Sequence, residues 1–397
     1  MRDLREAHSL ASKPEEIVLA LNSFGLRLLQ EESARNLEQN LFLSPISIFL
    51  ALAMIENGAA GKTKIAIREA LALPSDASEE VMNASMSAML ESLRARKGVE
   101  LSIANALWAD SRAPLAPHFV RRCKDIYDAE ANEIDFTQPS AAEIINHWVS
   151  EKTKGKISAI VDQENVRNAI AILANAVYFK GKFRHQFMKV ATQEETFHLV
   201  DGREKQVPMM RRKFPPRSCI RGKNCEGAVL PYEDSGIALY MLLPAKGTTP
   251  EQVVSEASVE SFEEPQEQSD VLVIMPRFTL DFTSLLKGSL ERMRMGIAFH
   301  PGADFTPLGS SLFFVEDVLH KTRLELDEEG TVAAAVTELE ITLSALPSEP
   351  IEVKTLVFDR PFALLLRDTL TGAILFAGVV YDPPRETTND DKTALSH

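Results

Sequence analysis

Leu326-Asp327-Glu328-Glu329-Gly330-Thr331-Val332-Ala333-Ala334-Ala335-Val336-Thr337-Glu338-Leu339-Glu340-Ile341-Thr342-Leu343-Ser344-Ala345-Leu346 is the stretch on which the reading of this chain turns. Gly330 and three consecutive alanines form a small-residue tract without turn chemistry. The tract also has period-two order. Thr331, Ala333, Ala335, Thr337, Leu339, Ile341 and Leu343 fall on one face of an extended chain, and Val332, Ala334, Val336, Glu338, Glu340 and Thr342 on the other. One face grows more apolar towards Leu343 while the other acquires two carboxylates, the pattern of a half-buried strand. On pattern alone, a native strand is the simplest reading.

Upstream, the first third reads as helical. Pro14-Glu15-Glu16 opens a helix with Pro and acids at the first turn, and Ile17, Leu21, Phe24 and Leu28 share one face behind it. Ser44-Pro45 repeats the start signal, with Ser as the cap. Residues 46–55 are apolar on nearly all sides, which predicts a deeply buried helix. Further helices are predicted over 77–97 and 140–154, the latter closed by Gly155. From about residue 169 the texture changes. The apolar run 169–179 reads as a strand covered on both faces, and further strands are predicted over 237–243, 271–282, 321–327, 355–366 and 372–381. Helices first and strands later, without βαβ rhythm, predict an α+β fold on a large mixed sheet.

Composition excludes several function classes. Hydrophobic residues make up 45% of the 397 and charged residues 25%, ordinary for a globular domain. The net charge of -14 argues against general nucleic-acid or anionic-membrane binding. No apolar run follows the charged N-terminus, so no signal peptide is visible, and no stretch is long and apolar enough to predict a membrane span. Three cysteines rule out a disulfide framework; Cys219 and Cys225 could pair, but such neighbours are more often free thiols. Gly58-Ala59-Ala60-Gly61-Lys62-Thr63 looks like the end of a phosphate-binding loop, yet Glu56 stands where the first Gly belongs, and a helix end with a turn is expected. No nucleophile elbow, zinc motif or paired Cys-x-x-Cys is present. Asn83-Ala84-Ser85 is a lone glycosylation triplet of the kind that arises by chance.

Several separate motifs, in order along the chain, carry a resemblance to the serpin family. Glu328-Glu329-Gly330-Thr331-Val332-Ala333-Ala334-Ala335 resembles the hinge of the serpin reactive loop, and Val357-Phe358-Asp359-Arg360-Pro361-Phe362 the signature that follows it. Residues 375–383 are similar to the family's closing strand, Asn40 to Ser47 to its early helix entry, and Asn175 to Phe183 to its central strand. Val207-Pro208-Met209-Met210 and Leu230-Pro231-Tyr232 add to the set.

The resemblance implies a single α+β serpin domain over 1–382 with an exposed reactive loop at about 328–350, while the polar composition of 383–397 leads to the expectation of a disordered tail. It implies a suicide-substrate inhibitor of serine proteases rather than an enzyme, without metal or cofactor. Its partner would be the target protease in a covalent complex, not nucleic acid or membrane, and the chain a monomer. The compartment would be the extracellular space, with the cytoplasm as alternative. After acylation the hinge, Glu328 to Val336 and Thr337, would insert as a new strand in the main sheet. Ser44, Ser47, Asn146, Asn175 and His320 match a polar cluster under the opening sheet, and Arg277 with Glu328 a charge pair at its top. Family counting puts the scissile bond fourteen residues after Gly330, at Ser344–Ala345; a slip of one gives Leu343–Ser344. No Arg or Lys lies between Gly330 and Lys354, so elastase-, chymotrypsin- or subtilisin-like enzymes fit better than trypsin-like ones. Three positions depart from the family pattern: Val332 replaces the usual Glu, Phe183 a Trp, and Ala363 a larger residue. The alternative is a serpin-fold binding, carrier or chaperone protein that does not inhibit.

Overall fold

The computed structural model describes residues 2–167, 169–233, 235–256, 270–309, 313–328 and 353–384, with side chains from Pro14 onward except that of Asn165. The helix predicted to open at Pro14 begins earlier. It spans Arg2–Arg35 with Pro14 inside it, because proline removes one backbone donor but leaves the helix formers Leu4, Ala7 and Leu10 on its N-terminal side free to continue the turn. Its predicted face is buried throughout: Ile17, Leu21, Phe24 and Leu28 are all inaccessible. The next helix, Pro45–Glu56, is buried at every position, as its uniform apolarity predicts. Helices Glu79–Arg94 and Ala141–Lys152 fall within the predicted ranges.

Three sheets carry the rest. The main sheet has five strands in the order Phe278–Leu285, Asp317–Leu326, Ala171–Gly181, Val99–Asp110, Glu130–Ile134. Its central pair, Asp317–Leu326 on Ala171–Gly181, is parallel, while the neighbours on either side of that pair are antiparallel. A six-stranded antiparallel sheet runs Leu41–Leu43, Ile374–Val380, Phe362–Asp368, Ile237–Pro244, Cys225–Pro231, Cys219–Gly222. A four-stranded sheet runs Lys354–Val357, Val271–Pro276, Glu204–Phe214, Gln193–His198. The architecture is the expected α+β.

Two predicted strands are each broken in two. Residues 271–282 divide at Arg277 between the four-stranded and main sheets; Pro276 has no N–H to offer a ladder, and the Arg277 N–H is drawn off to Pro208 O at 2.8 Å. Residues 355–366 divide at Asp359-Arg360-Pro361 between the four- and six-stranded sheets. The helices-then-strands order also needs correcting, since Val99–Asp110 lies in the middle of the main sheet. Its second half, Ala104-Asn105-Ala106-Leu107-Trp108-Ala109, is buried on both faces and so shows no alternation to read.

The main sheet separates two cores. On one face Leu107, Leu173, Val177, Phe179, Val318 and Leu324 meet helix Pro45–Glu56 and the six-stranded sheet. On the other, Ala104, Ala106, Ala174 and Ala176 lie beneath Ile145, Trp148 and Val149 of helix Ala141–Lys152. Cys219 and Cys225 are free, as is Cys123. In their hairpin Cys219 opposes Ala228 and Cys225 opposes Gly222, which puts the two thiols on opposite faces.

Candidate functional site

Register brings the polar site together. In the main sheet Asn175 is the partner of His320 on one side and of Asn105 on the other, so the three form a row across three strands. All three point to the face that packs on the N-terminus of helix Pro45–Glu56. The Ser44 N–H donates to His320 Nε2 at 3.1 Å, which leaves the ring proton on Nδ1 to donate to Asn175 Oδ1 at 2.5 Å. Asn175 Nδ2 donates in turn to Ser47 Oγ and Asn105 Oδ1, and Asn105 Nδ2 reaches Ser47 O at 3.5 Å. Ser44 does not cap the helix with its side chain; its hydroxyl donates to Leu375 O of the six-stranded sheet at 2.9 Å. Ser44, Ser47, Asn175 and His320 are wholly inaccessible. Such groups are tolerated in a core only when bonded, and here the bonding ties the three middle strands to one helix and to a second sheet.

Asn146, grouped with this cluster by resemblance, lies apart from it. It sits on helix Ala141–Lys152, across the main sheet, where its amide fastens the following segment through Val161 O, Ile160 N and Val161 N at 2.8, 2.7 and 3.1 Å. Asn105 was missed, although the sequence carried a signal for it. Ala104-Asn105-Ala106 repeats Ala174-Asn175-Ala176, a lone amide within an apolar strand.

At the top of the central pair, where Asp317–Leu326 ends, Glu328 is only 2% exposed. Its carboxylate receives Arg277 Nη1 at 3.2 Å and the Thr192 hydroxyl at 2.7 Å, and its carbonyl accepts the Phe187 N–H at 2.7 Å. The charge pair read from the sequence is therefore formed, with Thr192 as a further partner that no motif announced. Beneath it Phe183, in the place of the family's Trp, stacks on Tyr232 at 4.8 Å and meets Phe187 edge-on. Gly181 makes room for that ring: a Cβ there would lie 2.5 Å from Tyr232. The remaining hinge residues, Glu329, Gly330, Thr331, Val332, Ala333, Ala334, Ala335, Val336 and Thr337, lie outside the described residues, as do Leu343, Ser344, Ala345 and residues 385–397 of the tail.

The decoys resolve as turns and packing. Gly61 starts helix Gly61–Ala70, and the Thr63 hydroxyl accepts the Asp304 N–H at 2.8 Å. The Asn83 amide is committed inside the protein, donating to Asn57 Oδ1 at 2.8 Å and accepting the Tyr127 hydroxyl at 2.5 Å.

Burial pushes the His320 imidazole down to about 3. The folded protein therefore binds fewer protons than the unfolded chain below pH 6.5, so this contribution to stability is complete above pH 6.5 and shrinks as pH falls towards 3. The unfolded value alone sets a loss of roughly 2 kcal/mol at pH 5. Burial lowers His185 in the same sense, beside Arg212 and Arg184. The depressed carboxyls of Asp110, Glu130 and Glu325 act at lower pH. Thermal unfolding followed from pH 7.5 to 5 is expected to show a falling midpoint, and His320→Gln to flatten that slope. An unchanged slope in the variant would assign the effect elsewhere.

The arrangement is thus a sheet whose central parallel pair carries a buried polar row below and, above, an ion pair between buried Glu328 and part-exposed Arg277. The family model described as "Serpin (serine protease inhibitor)" matches residues 19–383. An uncharacterized serpin-like protein of Thermococcus kodakarensis is 34% identical over 92% of this chain and 86% of its own length. The leukocyte elastase inhibitor of Xenopus laevis is 32% identical over 93% and 100%. Among solved structures, the thermophilic serpin tengpin in its native state superposes with a TM-score of 0.81 at 27% identity, over 92% of this chain and 94% of that one. Human thyroxine-binding globulin gives 0.83 at 26%, over 94% and 100%. The chain belongs to the serpin family.

Proposed function

We propose that this serpin inhibits serine proteases of elastase-, chymotrypsin- or subtilisin-like specificity, as a suicide substrate, in the extracellular space. The observation that carries the reading is the parallel central pair, closed in register from Asp317 opposite Ile172 to Leu324 opposite Phe179. Parallel pairing is slightly less stable per residue than antiparallel. The segment after Glu328 follows directly from the strand that forms one side of this pair. If it folded back between the two strands it would be antiparallel to both, replacing one parallel ladder by two antiparallel ones. Leu339 and Ile341 would then each bury side chains worth roughly 1.5–3 kcal/mol. The closed form is held kinetically, by the polar row and by Glu328.

The protease serine attacks the carbonyl carbon of Ser344. The bond to the Ala345 nitrogen breaks, the amine leaves with a proton from the enzyme's histidine, and an ester joins enzyme to Ser344. Insertion then carries the enzyme across the sheet before water can cleave that ester. Ala333 and Ala335 are small where bulk would jam the opening. Val332 falls on the other face of the period-two pattern, so insertion should survive the missing Glu.

The test is to mix the protein with enzymes of the three specificities. An SDS-resistant complex is expected, with release of a C-terminal fragment whose mass places the cut at Ser344–Ala345 or Leu343–Ser344. Clean cleavage without a complex by all three would instead favour a non-inhibitory carrier built on the same fold, the reading that the likeness to thyroxine-binding globulin suggests.

A further inference from the structure

In a chain of net charge -14, residues 211–223 hold Arg211, Arg212, Lys213, Arg217, Arg221 and Lys223 and no acid. Arg211 is taken by Glu195, and Arg212 donates to Gln186 O. Lys213, Arg217, Arg221 and Lys223 are exposed, and among the described residues none of them forms an ion pair. Their placement follows from the sheets. Lys213 pairs with Leu272, which pairs with Thr355, so Lys213 lies two strands, about 10 Å, from the point where the chain returns from the reactive loop. Arg217 sits on the turn Pro216–Ser218 just beyond. Arg221 opposes Glu226, whose carboxylate is neutralised by Lys354 Nζ at 3.1 Å. Lys223 tips the same hairpin, where the neighbouring Glu256 is held by Asn224 at 3.0 Å. The four cations, without ion pairs among the described residues, therefore form a ridge beside the loop's re-entry at Lys354.

We propose that this ridge docks the acidic surface of the attacking protease. The proposal rests on the inhibitory reading above. An enzyme seated on Ser344–Ala345 is tethered to Lys354 by nine residues, at most roughly 30 Å of extended chain. That keeps the enzyme face around its active site close to the ridge, so charge pairs made by an acidic patch there form within one encounter rather than as separate binding events. Charges at the edge of a contact act mainly by raising the association rate, and they do so in a salt-dependent way. The ridge thus selects, among enzymes of one primary specificity, those with an acidic face.

The experiment compares the wild-type protein with Lys213→Glu/Arg217→Glu/Arg221→Glu, and with the milder Lys213→Ser/Arg217→Ser. The probes are two elastase-type enzymes, one of low and one of high isoelectric point. The second-order inhibition rate is measured from 50 to 500 mM NaCl. Affinity for each enzyme with its catalytic serine replaced by alanine is measured in parallel. For the acidic enzyme the triple variant is expected to lose about tenfold or more in rate and affinity at low salt, with a flattened salt dependence. The Ser variant should lose less, and the basic enzyme should lose nothing. Thermal midpoint and moles of inhibitor used per mole of enzyme should be unchanged. Rates and affinities within twofold of wild type would overturn the proposal. So would an effect confined to the binding of dextran sulfate, measured alongside as a generic polyanion. A fall in stability with unchanged rates, restored by Glu→Lys changes within the acidic run Glu256 to Asp270 of the same chain, would overturn it as well. The two readings can fail separately. If no enzyme is trapped, inhibition fails, while the affinity for the serine-replaced enzymes still tests the ridge.

Discussion

On the proposed mechanism, Ala333→Arg should convert this serpin from an inhibitor into a substrate. Ala333 belongs to the face of the 331–343 segment that turns apolar towards Leu343, the face expected to enter the main sheet. The centre of that sheet is lined with alanine at 104, 106, 174 and 176 on one side and filled by the polar row on the other, so neither side offers a counter-ion or space. An arginine there would bury an unpaired charge and overpack the gap, at a cost of several kcal/mol. Insertion competes with deacylation, and each 1.4 kcal/mol added to the insertion barrier slows it about tenfold. About 3 kcal/mol then moves the partition roughly a hundredfold towards release. Cleavage itself should proceed normally, since the change lies eleven residues from the scissile bond. The measurement is moles of inhibitor consumed per mole of protease blocked, expected to rise from near one to ten or more. Val332→Glu, on the opposite face, should leave the ratio unchanged. A normal ratio in Ala333→Arg would mean that the loop does not enter through this face.

Glu328→Lys should open the top of the sheet. The carboxylate is buried against Arg277 and the Thr192 hydroxyl. A lysine would set two cations together and remove the hydroxyl's acceptor. Breaking a pair buried on its carboxylate side costs at most about 3–5 kcal/mol, which for a domain of this size is roughly a 4–6 °C fall in the thermal midpoint. Glu328→Gln keeps an acceptor for Thr192 and should fall by less. The larger consequence is kinetic: with that ion pair gone, warming below the midpoint should convert the uncleaved protein into a more heat-resistant form. Circular dichroism melts before and after such incubation would show it. An unchanged midpoint would mean that the ion pair does not hold the sheet.

Much of this was legible locally. Uniform apolarity over 46–55 predicted a buried helix, and the run over 169–179 a strand covered on both sides; both are present. The motifs predicted the family, and four of the five polar residues grouped from them meet. What was lost had a common cause. The second half of Val99–Asp110, buried on both faces, shows no period. The break at Arg277 falls where the chain leaves the strand holding Pro208 O for a new partner beginning at Leu326 opposite Phe278, a change of partner no local pattern announces. Asn146 was misplaced because a motif cannot tell which side of a sheet its helix will cover.

The sequence by itself determined which segments are apolar enough to be core, where small residues lie in the segment proposed to insert, and which polar side chains stand alone in apolar runs and must find partners. Only the tertiary structure decided who those partners are. Asn105, Asn175 and His320 are 70 and 145 positions apart. They form a row only because one strand pairs antiparallel and the other parallel in a particular register. A shift of a single residue would turn each side chain to the opposite face, and that register is fixed by contacts between strands that no local pattern contains.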